Sequence, residues 1–125
     1  MNKVRFTHKI MVPNHKSKID RATGYAEEME DVKVFTLSQE EYDELRREGG
    51  LFDIFDSTFG TIIDDCEEDR LSYVQVIQAL EMTRHFRKGQ TSNTTLGLDK
   101  VALSLEYAKS NGVFWEIVNG AEVCE

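Results

Sequence analysis

Val32-Lys33-Val34-Phe35-Thr36-Leu37-Ser38-Gln39-Glu40-Glu41-Tyr42 changes its character within a few residues, and that change decides the fold class. The first six residues are mostly β-branched or aromatic and suit a pleated strand. Ser38 and Glu41 then stand at the spacing of a capping box. The serine oxygen takes the Glu41 N–H, and the glutamate reaches back to the Ser38 N–H. Leu37 and Tyr42 occupy the two positions of a hydrophobic staple around it. A strand running straight into a capped helix predicts an α+β chain.

Reading onward, the helix is predicted to reach Glu48 and to stop at Gly49-Gly50, where a left-handed turn costs little. Leu51, Ile54, Phe55, Phe59 and Ile62 recur at helical spacing, although Leu51–Phe55 also fits a buried strand. The reading adopted is a short helix to Thr58 and a brief strand over Thr61–Ile63. Ser72 and Gln75 form a second capping box, with Leu71 and Val76 as its staple. Val74, Ile77, Leu80 and Phe86 then make the apolar stripe of a helix, and Gly89 ends it. Arg84, His85, Arg87 and Lys88 crowd its last turn, where the helix dipole favours positive charge. Leu98, Val101, Ala102, Leu105 and Ala108 define a further helix that stops at Asn111-Gly112. Val113–Val118 reads as a strand closed by Asn119-Gly120. Its doublet Phe114-Trp115 puts one ring on each face, so one ring lies outside the main core unless both faces are covered.

Reading backward, Val4, Phe6, His8, Ile10 and Val12 alternate with Lys3, Arg5, Thr7 and Lys9, the period of a half-buried strand ended by Pro13-Asn14. His8 is expected to be a packed, hydrogen-bonded core group. Residues 14–31 are polar throughout and read as a long exposed loop. The whole is expected to be one compact α+β domain over residues 1–125. Its sheet is small, mixed or antiparallel, with three to four strands packed by about three helices.

The chain has 125 residues, enough for one core. No apolar run approaches the roughly 20 residues of a spanning helix, and no apolar stretch follows Lys3 and Arg5. A cytoplasmic chain with Cys66 and Cys124 as free thiols is therefore expected. Charge is uneven. The formal net charge is −8, yet residues 1–21 carry a local +5 (Lys3, Arg5, Lys9, Lys16, Lys18 and Arg21 against Asp20), leaving −13 for the rest. Such a body repels nucleic acid and anionic membrane and attracts basic proteins.

Motifs for chemistry are sparse. The run Asp64-Asp65-Cys66-Glu67-Glu68-Asp69 holds five carboxylates, the oxygen donors that hard cations prefer. It lacks the glycine and the alternating ligands of a calcium loop, so the competing readings are a solvated loop or a docking surface. Carboxylates around Cys66 suppress its thiolate, and no pair of histidines or cysteines has metal spacing. Neither a metal nor a cofactor is predicted. The functional expectation is a non-enzymatic acidic module, such as an immunity or antitoxin-type inhibitor of a basic toxin. Its docking residues would be Asp64, Asp65, Glu67, Glu68 and Asp69, with Glu27, Glu28, Glu30 and Asp31 as a second patch. Two alternatives are a small metal-dependent enzyme using residues 64–69, and a homo-oligomeric subunit pairing through its first or last strand.

Overall fold

The first and last strands of the chain meet at the centre of its sheet. A computed structural model describes residues 3–14, 32–61, 63, 68–89 and 96–124. Strands β1 (Lys3–Pro13) and β2 (Val32–Leu37) lead to helices α1 (Gln39–Arg46) and α2 (Leu51–Phe59). Strand β3 (Glu68–Leu71), helices α3 (Tyr73–Lys88) and α4 (Leu96–Asn111), and strand β4 (Trp115–Cys124) complete the order. The sheet order is β2-β1-β4-β3, with every neighbouring pair antiparallel. The fold is a single α+β domain with four helices among the described residues, one more than the three clear patterns in the sequence.

Both capping boxes form as their spacing predicts. Ser38 and Glu41 exchange bonds of 2.8 and 3.1 Å, and Ser72 and Gln75 exchange bonds of 2.9 and 3.3 Å. Helix α1 ends at Arg46, two residues earlier than expected, and the chain reverses through Gly49 at φ +76°. Gly50 follows as the N-cap of α2, and a Cβ there would lie 2.6 Å from the Leu45 carbonyl oxygen. Only glycine allows so close a corner. Leu51, Phe52 and Phe55 are wholly buried on the face of α2 that this corner turns inward.

Trp115 is the centre of the core. Its ring is fully buried and meets Phe52 and Phe55 edge-on, each at 6.4 Å between centroids. The indole N–H donates to Ser104 Oγ at 2.8 Å, and that hydroxyl donates in turn to the Val101 carbonyl at 2.7 Å. From Thr7 to Val12 the alternation of β1 is as read from sequence, with His8, Ile10 and Val12 buried on the helix side. His8 is the satisfied core histidine expected. Its Nδ1 lies 2.9 Å from Asn119 Oδ1, its Nε2 lies 3.1 Å from Gln39 Oε1, and its ring stacks on Tyr42 at 3.7 Å.

Three expectations need correction. Thr61 and Ile63 belong to no strand; Asp56 Oδ1 accepts from Thr61 Oγ1 and from the Ile63 N–H, which folds this stretch back on α2. The third strand is instead Glu68–Leu71, so Glu68 and Asp69 leave the predicted acidic loop and enter the sheet. Asn119-Gly120 is not a turn. Strand β4 runs through it to Cys124, because β1 supplies a full antiparallel partner and His8 satisfies the Asn119 side chain. Strands β1 and β4 lie in the interior of the sheet order, with β2 flanking β1 over His8–Pro13 and β3 flanking β4 over Trp115–Val118. Both rings of the Phe114-Trp115 doublet are buried. Phe114 is covered by the Arg70 guanidinium, 3.8 Å from its ring centre.

Replacing Asn119 by Leu would strip His8 of a buried hydrogen bond and is expected to cost about 1–3 kcal/mol. Val34→Leu, at an exposed position, is expected to stay within about 0.5 kcal/mol of the parent. Denaturant unfolding of both variants checks the pair.

Candidate functional site

Seven of the nine docking residues named from sequence lie outside the described residues: Glu27, Glu28, Glu30, Asp31, Asp64, Asp65 and Glu67. So do His15 and Cys66. Glu68 opens β3 at the sheet edge, opposite Val118. Asp69 stands opposite Ile117, on the side of the sheet that carries the helices, and is only half exposed. Arg70 points to the other side, where it bonds Glu116 at 3.0 Å. Glu116 is 2% exposed, so this ion pair is engaged within the fold.

A third acidic surface was not singled out from sequence. Between Ser38 and Gly60 there are seven carboxylates against Arg46 and Arg47. Helix α1 and its corner present Glu40, Asp43, Glu44 and Glu48 to solvent, and α2 adds Asp53. The cause is local. Tyr42 and Leu45 take the buried side of α1, so the charged positions between them are forced outward. Part of this surface is fixed in place: Gln39 Nε2 donates to Asp43 Oδ1 at 2.8 Å, and the Gly49 N–H donates to Asp53 Oδ2 at 2.9 Å. The sequence signal was present in Glu40-Glu41-Tyr42-Asp43-Glu44, but it reads equally well as an ordinary solvated helix face.

The α3–α4 pair has the opposite balance, with five lysines and arginines against three carboxylates from Tyr73 to Asn111. Arg84 meets Glu106 at 2.9 Å and Arg87 meets Asp99 at 2.5 Å, both exposed pairs that tie the two helices together weakly. An ion pair joins the two halves. Lys100 Nζ lies 2.7 Å from Glu41 Oε1, the same oxygen that accepts from the Ser38 N–H. Burial pushes the Glu41 carboxyl up. The hydrogen bonds from Lys100 and from Ser38, with the charge of Lys100, outweigh that effect and hold it below its ordinary value.

No arrangement for bond chemistry assembles around the described histidines. His8 is 1% exposed and held between two amides, while His85 lies exposed in the last turn of α3. Among the described residues, no three His, Cys, Asp or Glu side chains converge as metal ligands, and no helix is long and apolar enough to cross a membrane. No protein-family model matches the chain, and comparisons with curated proteins and with solved structures found no match.

Because the Glu41 carboxyl is held below its ordinary value, its contribution to stability is present above the unfolded pKa of about 4.3 and lost as pH falls through the folded value. Glu41→Gln should therefore be less stable than the parent near neutral pH, with the difference closing on acidification. Denaturant unfolding from about pH 7 to about pH 3 measures this. A difference that does not change with pH would show that the charge of Glu41 contributes nothing.

Proposed function

We propose that this chain is a non-enzymatic protein-binding module that docks through acidic surface onto a basic protein and blocks it, as an inhibitor of a basic toxin or nuclease would. The observation that carries the reading is the segregation of charge in the folded chain. The exposed carboxylates Glu40, Asp43, Glu44, Glu48 and Asp53 gather on one helical corner, while the α3–α4 pair carries excess positive charge. Complementary fields of this kind accelerate encounter and disfavour wrong partners. The acidic run at residues 64–69 adds negative charge in sequence between α2 and α3.

Both histidine environments support a binding role over a catalytic one. His8 spends its hydrogen-bonding capacity inside the core, and His85 lies exposed in the last turn of α3. The docking surface then combines the α1–α2 corner with Asp64, Asp65, Glu67, Glu68 and Asp69, and with Glu27, Glu28, Glu30 and Asp31.

Affinity capture from the native host at low and high salt should yield one basic protein, and stopped-flow mixing of the purified pair then tests the mechanism. Association should slow as salt rises. Glu40→Lys/Asp43→Lys/Glu44→Lys should slow it several-fold further, with a much smaller change in dissociation. Reversal of Asp64, Asp65 and Glu68 probes the other patch in the same assay. If both triple variants associate as fast as the parent, neither surface is the docking site. If no basic partner is retained at low salt, the inhibitor reading fails.

A further inference from the structure

The sheet order places two strands at its outer positions. One is β3, four residues of which the first three are charged, a poor template for another strand. The other is β2, Val32–Leu37, which pairs with β1 on one side and with no other strand among the described residues. Its sequence favours extended structure, and Val34 is 47% exposed on it. An apolar edge of this kind recruits further strands unless something obstructs it.

The obstruction is Lys100. From α4 its ammonium donates to the Thr36 carbonyl oxygen of β2 at 3.1 Å. The same nitrogen is anchored by Glu41 Oε1 at 2.7 Å, so the lysine is held in position from the adjoining helix. The pair is substantially shielded, with side-chain exposures of 34% for Lys100 and 11% for Glu41. Lys33, the other lysine at this edge, lies over the rings of Phe35 and Tyr107, at 5.4 and 4.8 Å from their centres.

We propose that the outer edge of β2 is a strand-addition site for a second copy of this chain, and that the Glu41–Lys100 pair is the latch that keeps it closed. The occupant follows from self-complementarity. Antiparallel pairing about a two-fold axis at Val34 sets Val34 against Val34 of the second copy and Val32 against its Thr36. Lys33 then faces Phe35 of the second copy, repeating across the axis the cation–aromatic contact it already makes. The two Lys33 side chains do not oppose each other, so no like-charge pair forms across the axis. Among the described residues, what remains in the way is the ammonium seated on the Thr36 carbonyl.

Glu41→Gln/Lys100→Met removes both charges while keeping a residue at position 41 that completes the capping box. Sedimentation from micromolar to millimolar concentration should show the parent at the mass of one chain throughout, and the double variant rising towards twice that mass. Adding Val34→Lys places like charges on the two-fold axis and should return the double variant to one chain. Should the double variant fail to fold by circular dichroism, Lys100→Gln, which leaves Glu41 hydrogen-bonded, makes the same demand. A folded latch variant that stays at one chain overturns the proposal, as does a dimer indifferent to Val34→Lys. A parent that already pairs through this edge also overturns the latch.

Discussion

The antiparallel pairing of β1 with β4 is the constraint on which the rest of the structure depends. Lys3–Met11 runs against Glu116–Cys124, so the central seam of the sheet joins residues more than a hundred positions apart. The His8–Asn119 bond alone spans 111 positions. Closing so long a loop adds little to the entropic cost beyond what a moderate loop already requires, because the cost grows only logarithmically with length. The seam must nevertheless wait for the intervening elements. Non-local pairing of this kind is in general slower to form than helices. Once the seam exists, β2 and β3 are added as outer strands, and Trp115 is fixed beneath α2 and α4.

A seam of two long strands has a register problem, since a slip of one residue turns every side chain to the opposite face. Two devices address it. Ile10 against Ile117 provides apolar matching on the helix side, and His8 against Asn119 provides a polar match that other registers lack. The polar match extends beyond the sheet. Gln39, the first residue of α1, gives its amide nitrogen to Asp43 and so must offer its oxygen to His8 Nε2. Tyr42, one turn along, stacks flat on the same ring, with 5° between the planes. A buried imidazole thus ties the entry of α1 to the central strands.

How much of this was legible follows from the range of each interaction. The capping boxes at Ser38 and Ser72, the glycine stops and the alternation of β1 are written in residues a few positions apart, and they appear where the sequence puts them. Strand β3 is different. Glu68-Asp69-Arg70-Leu71 has no strand pattern, because only Leu71 faces the deep core and the strand exists as a ladder partner for β4. The continuation of β4 through Asn119-Gly120 was hidden for a related reason: the residue that makes an asparagine tolerable there is His8, far away in sequence. Thr61–Ile63 failed as a strand because Asp56, a residue of α2, captures that stretch first. As for the surface, the acidic run at residues 64–69 was conspicuous in one dimension. The α1–α2 corner becomes a patch only when the helix and the glycine turn bring its carboxylates together.

The charge pattern carries an argument about which property of an encounter it can affect. Exposed pairs such as Arg84–Glu106 and Arg87–Asp99 are each worth at most about 1 kcal/mol, so they say little about stability. Their effect on the field is larger, because they neutralise carboxylates on α3–α4 while those of α1 and α2 outnumber their basic neighbours. At physiological salt the field decays over about 8 Å, so a basic protein senses this asymmetry only as it nears contact. On the proposed reading, the carboxylates of the α1–α2 corner draw a basic partner in at that distance, and the lysines and arginines of the adjoining α3–α4 pair turn it away. Orientation is selected before any surface is desolvated, which makes charge segregation a determinant of association rate. Tightness must come from apolar and hydrogen-bonded contacts formed afterwards. A partner that bound tightly but arrived no faster at low salt would therefore be held by a different part of this molecule than the one that its charges mark out.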